Sequence, residues 1–186
     1  MQEERHITGQ TIEELCQKLA EDIQQQQDLL QYQAILHLHE TTVIFQLDID
    51  LGGGFESGIS TTLFSGAFQS TTGYRFSLQQ QGLLEEVGKL LGMQDIKIGE
   101  HEFDAHTLIQ TNDEEKVRRM LSDAAVRKPL LQLSDYRLEL NLPDEEGLPA
   151  RLDLWIQEAV TDPVQLCQLY HTFVVFLTFA AADAAQ

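Results

Sequence analysis

Basic residues are scarce in this chain: 12 lysines and arginines stand against 30 aspartates and glutamates, a formal net charge of −18 over 186 residues. Such a balance repels phosphate backbones and anionic headgroups, so neither nucleic acid nor an acidic membrane surface is an expected partner. Cysteine is scarcer still, with two residues, too few for a disulfide framework in a chain of this length. No apolar leader is visible, since Met1 runs into Gln2-Glu3-Glu4-Arg5, and the expected location is cytoplasmic. The strongly apolar run from Phe173 to Ala182 is about half of the roughly 20 residues that span a bilayer, so no membrane insertion is expected.

Common chemical motifs are missing as well. Gly52-Gly53-Gly54 is followed by neither Gly-Lys-Ser/Thr nor a helix start, so it reads as a turn and not a phosphate cradle. Ser57 and Ser60 flank Gly58, but this stretch leads into a strand, whereas a nucleophile elbow joins a strand to a helix. Asp48, Asp50, Gly53 and Glu56 follow part of a calcium-loop pattern, yet Ile59 stands where the bidentate glutamate belongs.

What is present is a globular composition, with 42% apolar and 23% charged residues, enough for one domain. We expect a flexible N-terminus over residues 1–10 and a single α+β domain over 11–186, mainly an antiparallel sheet with helices packed on one face. Thr11-Ile12-Glu13-Glu14 is a capping box, followed by an apolar stripe at Ile12, Leu15, Cys16, Leu19 and Ile23, which predicts an amphipathic helix continuing to about Leu30. From Gln33 the period changes to two, through Leu38 and again from Val43 to Ile49, predicting two strands. Ile59–Phe68 and Tyr74–Leu78 also read as strands, joined by a hairpin turn at Thr71-Thr72-Gly73. Gly82–Leu91 reads as a short helix, Ile96–Ile98 and Thr107–Gln110 as strands, and Asn112 as the cap of a helix ending near Leu121. A second helical stretch starts at Ser122-Asp123, with Pro129 placed near its first turn or kinking it. Tyr136–Leu142 and Arg151–Ile156 form a further hairpin, and Pro163 opens a long apolar final helix.

The segment Ile98-Gly99-Glu100-His101-Glu102-Phe103-Asp104, followed by Leu108 to Asn112-Asp113-Glu114-Glu115 and on to Leu121, resembles a pattern of uncharacterised bacterial domains of unknown function. There a G-x-x-E-F-D step precedes a short strand, an N-D-E-E helix start and a Leu-Leu-Ser-Asp helix end. The likeness of layout extends from about Tyr32 to Ala182, although Thr107 stands where the pattern has an aromatic residue. The resemblance implies an α+β domain, sometimes attached to membrane segments, and no nameable reaction; it assigns no functional residue.

Two histidine clusters are the candidates for metal chemistry. His37 and His39 fall on one face of a strand, with Glu40 on the other, a two-ligand start for zinc or copper. His101 and His106 are five apart, which on a helix leaves them about 140° apart, whereas zinc ligation needs histidines four apart. Glu102 and His106 share a face, but two ligands do not close a site. An exposed strand face and a loop or short helix packed by Phe103 explain both clusters, so no metal and no cofactor is expected and no catalytic residue is assigned. Cys16 and Cys167 lie among apolar residues and read as structural. Lys116, Arg118, Arg119, Arg127 and Lys128 read as a solvated helix face, with an acidic partner as the alternative. The functional expectation is a non-enzymatic protein-interaction or scaffolding module, with a protein partner or a homodimer through the apolar last helix. The alternative is a metal-dependent or small-molecule-binding enzyme whose histidines and carboxylates meet only in the fold.

Overall fold

The computed structural model describes residues 5–26, 29–52, 58–70, 72–81, 92–143, 145 and 147–182. The fold begins with β1 (Arg5–Gly9), α1 (Ile12–Gln24) and β2 (Gln31–Leu38), in which β1 and β2 pair in parallel and α1 forms the crossover. The first ten residues, expected to be flexible, thus include an edge strand. Its anchors are the buried Ile7 and Gly9, where α1 comes so close that an added Cβ would lie 2.6 Å from Leu15 Cβ. The cap forms with a shifted return bond: Thr11 Oγ1 accepts the Glu14 N–H at 3.2 Å, while Glu14 Oε2 reaches one residue past the cap and accepts the Gln10 N–H at 2.8 Å. α1 ends at Gln24, short of Leu30.

β3 (Thr41–Ile49) and β4 (Ser60–Phe68) continue the sheet in antiparallel fashion; the middle of the Gly52–Gly54 turn and the calcium-like Gly53 and Glu56 lie outside the described residues. The same holds for the expected helix at 82–91. Next come β5 (Phe76–Gln80), β6 (Gln94–Ile96), α2 (His101–His106), β7 (Thr107–Thr111), α3 (Glu114–Met120) and α4 (Ala124–Leu131). The chain closes with β8 (Tyr136–Asn141), β9 (Ala150–Ile156) and α5 (Pro163–Ala182). The nine strands form one sheet in the order β1-β2-β3-β4-β9-β8-β5-β7-β6. The expected hairpin between β4 and β5 does not form, because the β8–β9 hairpin inserts between them and pairs with both. Short sequence separation favours that hairpin only when no other strand competes for the edge.

Register makes the sheet one-sided. Ala34, Phe45, Phe64, Leu154, Leu138, Leu78 and Ile109 lie in one row across seven strands, and all are buried. The adjoining row carries Ile44, Ser65, Asp153, Glu139, Ser77 and Gln110 to the other face, which is mostly polar and exposed or half-buried except at β5, where Ser77 is buried. The architecture is therefore α+β. α5 is the central cover: Leu166, Leu169, Tyr170, Phe173, Phe176 and Leu177 are buried within the chain, with the Phe173 ring tilted against Phe64 and Phe176 stacked on Phe76 at ring separations of 5.8 and 6.1 Å. Its 20 residues are long and apolar enough to cross a membrane by length and composition. Most of its apolar side chains face this core.

The resembled motif turns out to be joinery. Gly99 has φ +92°, a left-handed conformation suited to glycine, and the Asp104 carboxylate accepts the Ile98 and Gly99 N–H groups, each at 2.9 Å. Phe103 is buried beneath them. Asp113, and not Asn112, caps α3 by accepting the Lys116 N–H at 3.1 Å. Asn112 instead ties β7 to the start of β5, accepting the Arg75 N–H at 2.8 Å and donating to the Gly73 carbonyl at 2.6 Å. Asp123 caps α4, and Pro129 sits in that helix's second half instead of its first turn.

Candidate functional site

The two histidine clusters do not meet. His37 is on β2 and His39 in the turn after it, whereas His101, Glu102 and His106 are on α2, against β7. β2 and β7 are second and eighth in the sheet, a separation of about 29 Å at roughly 4.8 Å per strand step. Among the described residues no three histidine, cysteine or carboxylate side chains gather as a metal set. His101 and Glu102 are exposed, and His106 packs over the buried Tyr136 ring with centroids 6.1 Å apart. His39 takes φ +54° in the β2–β3 turn and so leaves the strand face it was expected to share with His37. The partner His37 does have is His6, unremarked in the sequence: Nδ1 of His6 and Nε2 of His37 are 2.9 Å apart across the β1–β2 pair. Only the parallel register, with Thr8 opposite His37, brings them together.

The basic cluster is largely engaged inside the fold. Arg118 pairs with Glu114 at 2.7 Å, and Arg119 lies over the Phe179 ring at 5.2 Å. Arg127, nearly buried, pairs with Glu100 at 3.3 Å and donates to the Leu121 and Ser122 carbonyls, so it locks the α3–α4 joint to α2. Lys116 sits over Tyr74 at 5.0 Å. Lys128 lines a concave surface.

That surface is a groove of about 870 Å³ between α1 and α4, floored by the first half of α5. It exists because both helices pack on α5 while small residues stand where larger ones would close the gap: Cys16 and Ala20 on α1, Ala125 on α4 and Cys167 on α5. Glu13, Gln17, Glu21 and Gln24 form the α1 rim, Lys128 and Gln132 the opposite one, and Val164 stands exposed at the mouth. Cys16 and Cys167, from opposite ends of the sequence, interact on its floor. Burial, then the hydrogen bond with Cys167, pushes the Cys16 thiol far up, so it stays protonated near neutral pH and is no nucleophile. The Glu13 carboxyl is held low, first by a backbone hydrogen bond at the helix start, then by Thr11, with His171 adding a smaller attraction. The groove offers an apolar floor and an ionised, amide-rich rim, suited to binding. The apolar stripe of α1 was legible in the sequence; the gap its small residues leave against α4 was not.

No protein-family model matches the chain and no curated protein does. Among solved structures, it is similar to the mycobacterial trehalose monomycolate transport factor A, with 12% identity, 76% of this chain and 74% of that one covered, and a TM-score of 0.39.

Proposed function

We propose that this chain is a non-enzymatic protein-interaction module whose docking surface is the α1–α4–α5 groove. The observation that carries the reading is the groove's form: an apolar, small-residue floor between two helices, open along the length of α1. Its occupant is an amphipathic helix of a protein partner. The 13 residues of α1 offer a track of about 19 Å at roughly 1.5 Å per residue, the length of a helix of three to four turns. Glu13 and Glu21 along one rim, on a chain of net charge −18, favour lysine or arginine beside that helix's apolar stripe. The same charge disfavours nucleic acid.

The rival occupant is an apolar small molecule, because the volume also falls in the usual range of about 300–1,000 Å³ for ligand pockets. A photoreactive amino acid at Gln168 of the full chain, activated in cells, separates the two. The expected product is a crosslink to a basic amphipathic segment of another protein, lost on Ala20→Arg. A retained small molecule, a crosslink only to a second copy, or a crosslink indifferent to Ala20→Arg would overturn the reading.

A further inference from the structure

We propose that His6 and His37 form a two-imidazole binding site for a tetragonal divalent transition-metal ion, Cu(II) or Ni(II) ahead of Zn(II), clamping β1 to β2. The rings are 4° from parallel with centroids 5.3 Å apart, while Nδ1 of His6 and Nε2 of His37 are 2.9 Å apart. A centroid distance equal to the N···N contact plus two ring radii means that the rings meet head to head, sharing one hydrogen in an N–H···N bond. Two nitrogens held at about 2.05 Å from one ion lie about 2.9 Å apart at a right angle and about 3.3 Å apart at the tetrahedral angle. The nitrogens are therefore already at the bite of a tetragonal ion. Each ring needs only to turn its lone pair off the N···N line, by about 45°, toward a common point.

His6 is exposed and His37 half-buried, so water can fill the remaining coordination positions. Thr42 Oγ1 lies 3.4 Å from His37 Nδ1, where it can orient the ring from behind. The ring that donates in the N–H···N bond moves its hydrogen to its other nitrogen, so both contacting nitrogens present lone pairs and no net proton is released. Because β1 is a five-residue edge strand that pairs with β2 alone, an ion spanning the two rings ties it to the sheet.

The test uses the full chain without an affinity tag, titrated with Cu(II). Two imidazole nitrogens are expected in the hyperfine structure of its paramagnetic resonance spectrum, with slowed amide exchange over residues 5–9. His6→Gln and His37→Gln should each weaken binding on the order of 100-fold, while His39→Gln should leave it within about twofold. Circular dichroism confirms that each variant is folded. A one-nitrogen spectrum, or binding unchanged in folded His6→Gln and His37→Gln, would overturn the proposal.

Discussion

The Asp104 carboxylate grips the turn at Gly99, one oxygen accepting the Gly99 N–H at 2.9 Å and the other that of Ile98. Both donors belong to the segment that leads from β6 into α2, and the contact fixes where Phe103 enters the core. Asp104→Ala should cost about 1–3 kcal/mol, the penalty of orphaning donors to a charged acceptor. Gly99→Ala should cost about 1 kcal/mol from backbone strain alone, since no atom crowds the added Cβ. Urea midpoints measure both, and an unchanged midpoint for Asp104→Ala would remove the structural account of this motif.

The same motif shows what a sequence can and cannot tell. Gly99, Phe103 and Asp104 were legible as a pattern, but their work is backbone geometry, not chemistry. The period-two strands and the capping box were legible because each is local. β1 was not, since Ile7 alone is a weak signal and the strand is defined by contacts with β2 and α1. The His6–His37 contact and the groove were hidden for the same reason: each joins residues whose proximity depends on a parallel crossover or on how helices pack.

Gly9 tests that crossover. A Cβ there would come within 2.6 to 2.9 Å of Leu15 Cβ, N and Cα, two of them backbone atoms that cannot swing away. Gly9→Ala should destabilise by about 1–3 kcal/mol through overpacking. Amide exchange should then show early loss of protection over residues 5–9. Full protection there would mean that α1 does not press on β1.

Alkaline pH should unfold the chain earlier than neutral pH. Burial pushes up the Cys16 thiol and the Tyr32, Tyr136 and Tyr170 hydroxyls, with Asp22 raising Tyr32 further and Cys16 and Cys167 raising Tyr170 further. Each is a neutral acid whose pKa is higher folded than unfolded. Their contribution is complete below the unfolded values, about 8.5 for thiols and about 10 for phenols, and falls as pH rises past them because only the unfolded chain gives up its protons. Urea midpoints should hold up to about pH 8 and decline from pH 9 to 11. A flat profile over that range would contradict the burial of these groups.

Two substitutions separate the core face of α5 from its groove face. Phe176 is 0% exposed and Val164 is 64% exposed, on one helix. Phe176→Glu removes a packed ring, at about 3–5 kcal/mol, and adds a buried carboxylate without a partner, so unfolding or aggregation is expected. Val164→Lys should shift stability by no more than about 0.5 kcal/mol, yet place a positive charge at the mouth of the groove, repel the basic helix and weaken partner capture at Gln168. Light scattering and thermal melts of both variants provide the measurement. A soluble, folded Phe176→Glu monomer from an oligomeric parent would show that this face of α5 is an interface between copies, against the intrachain packing of Phe176 on Phe76.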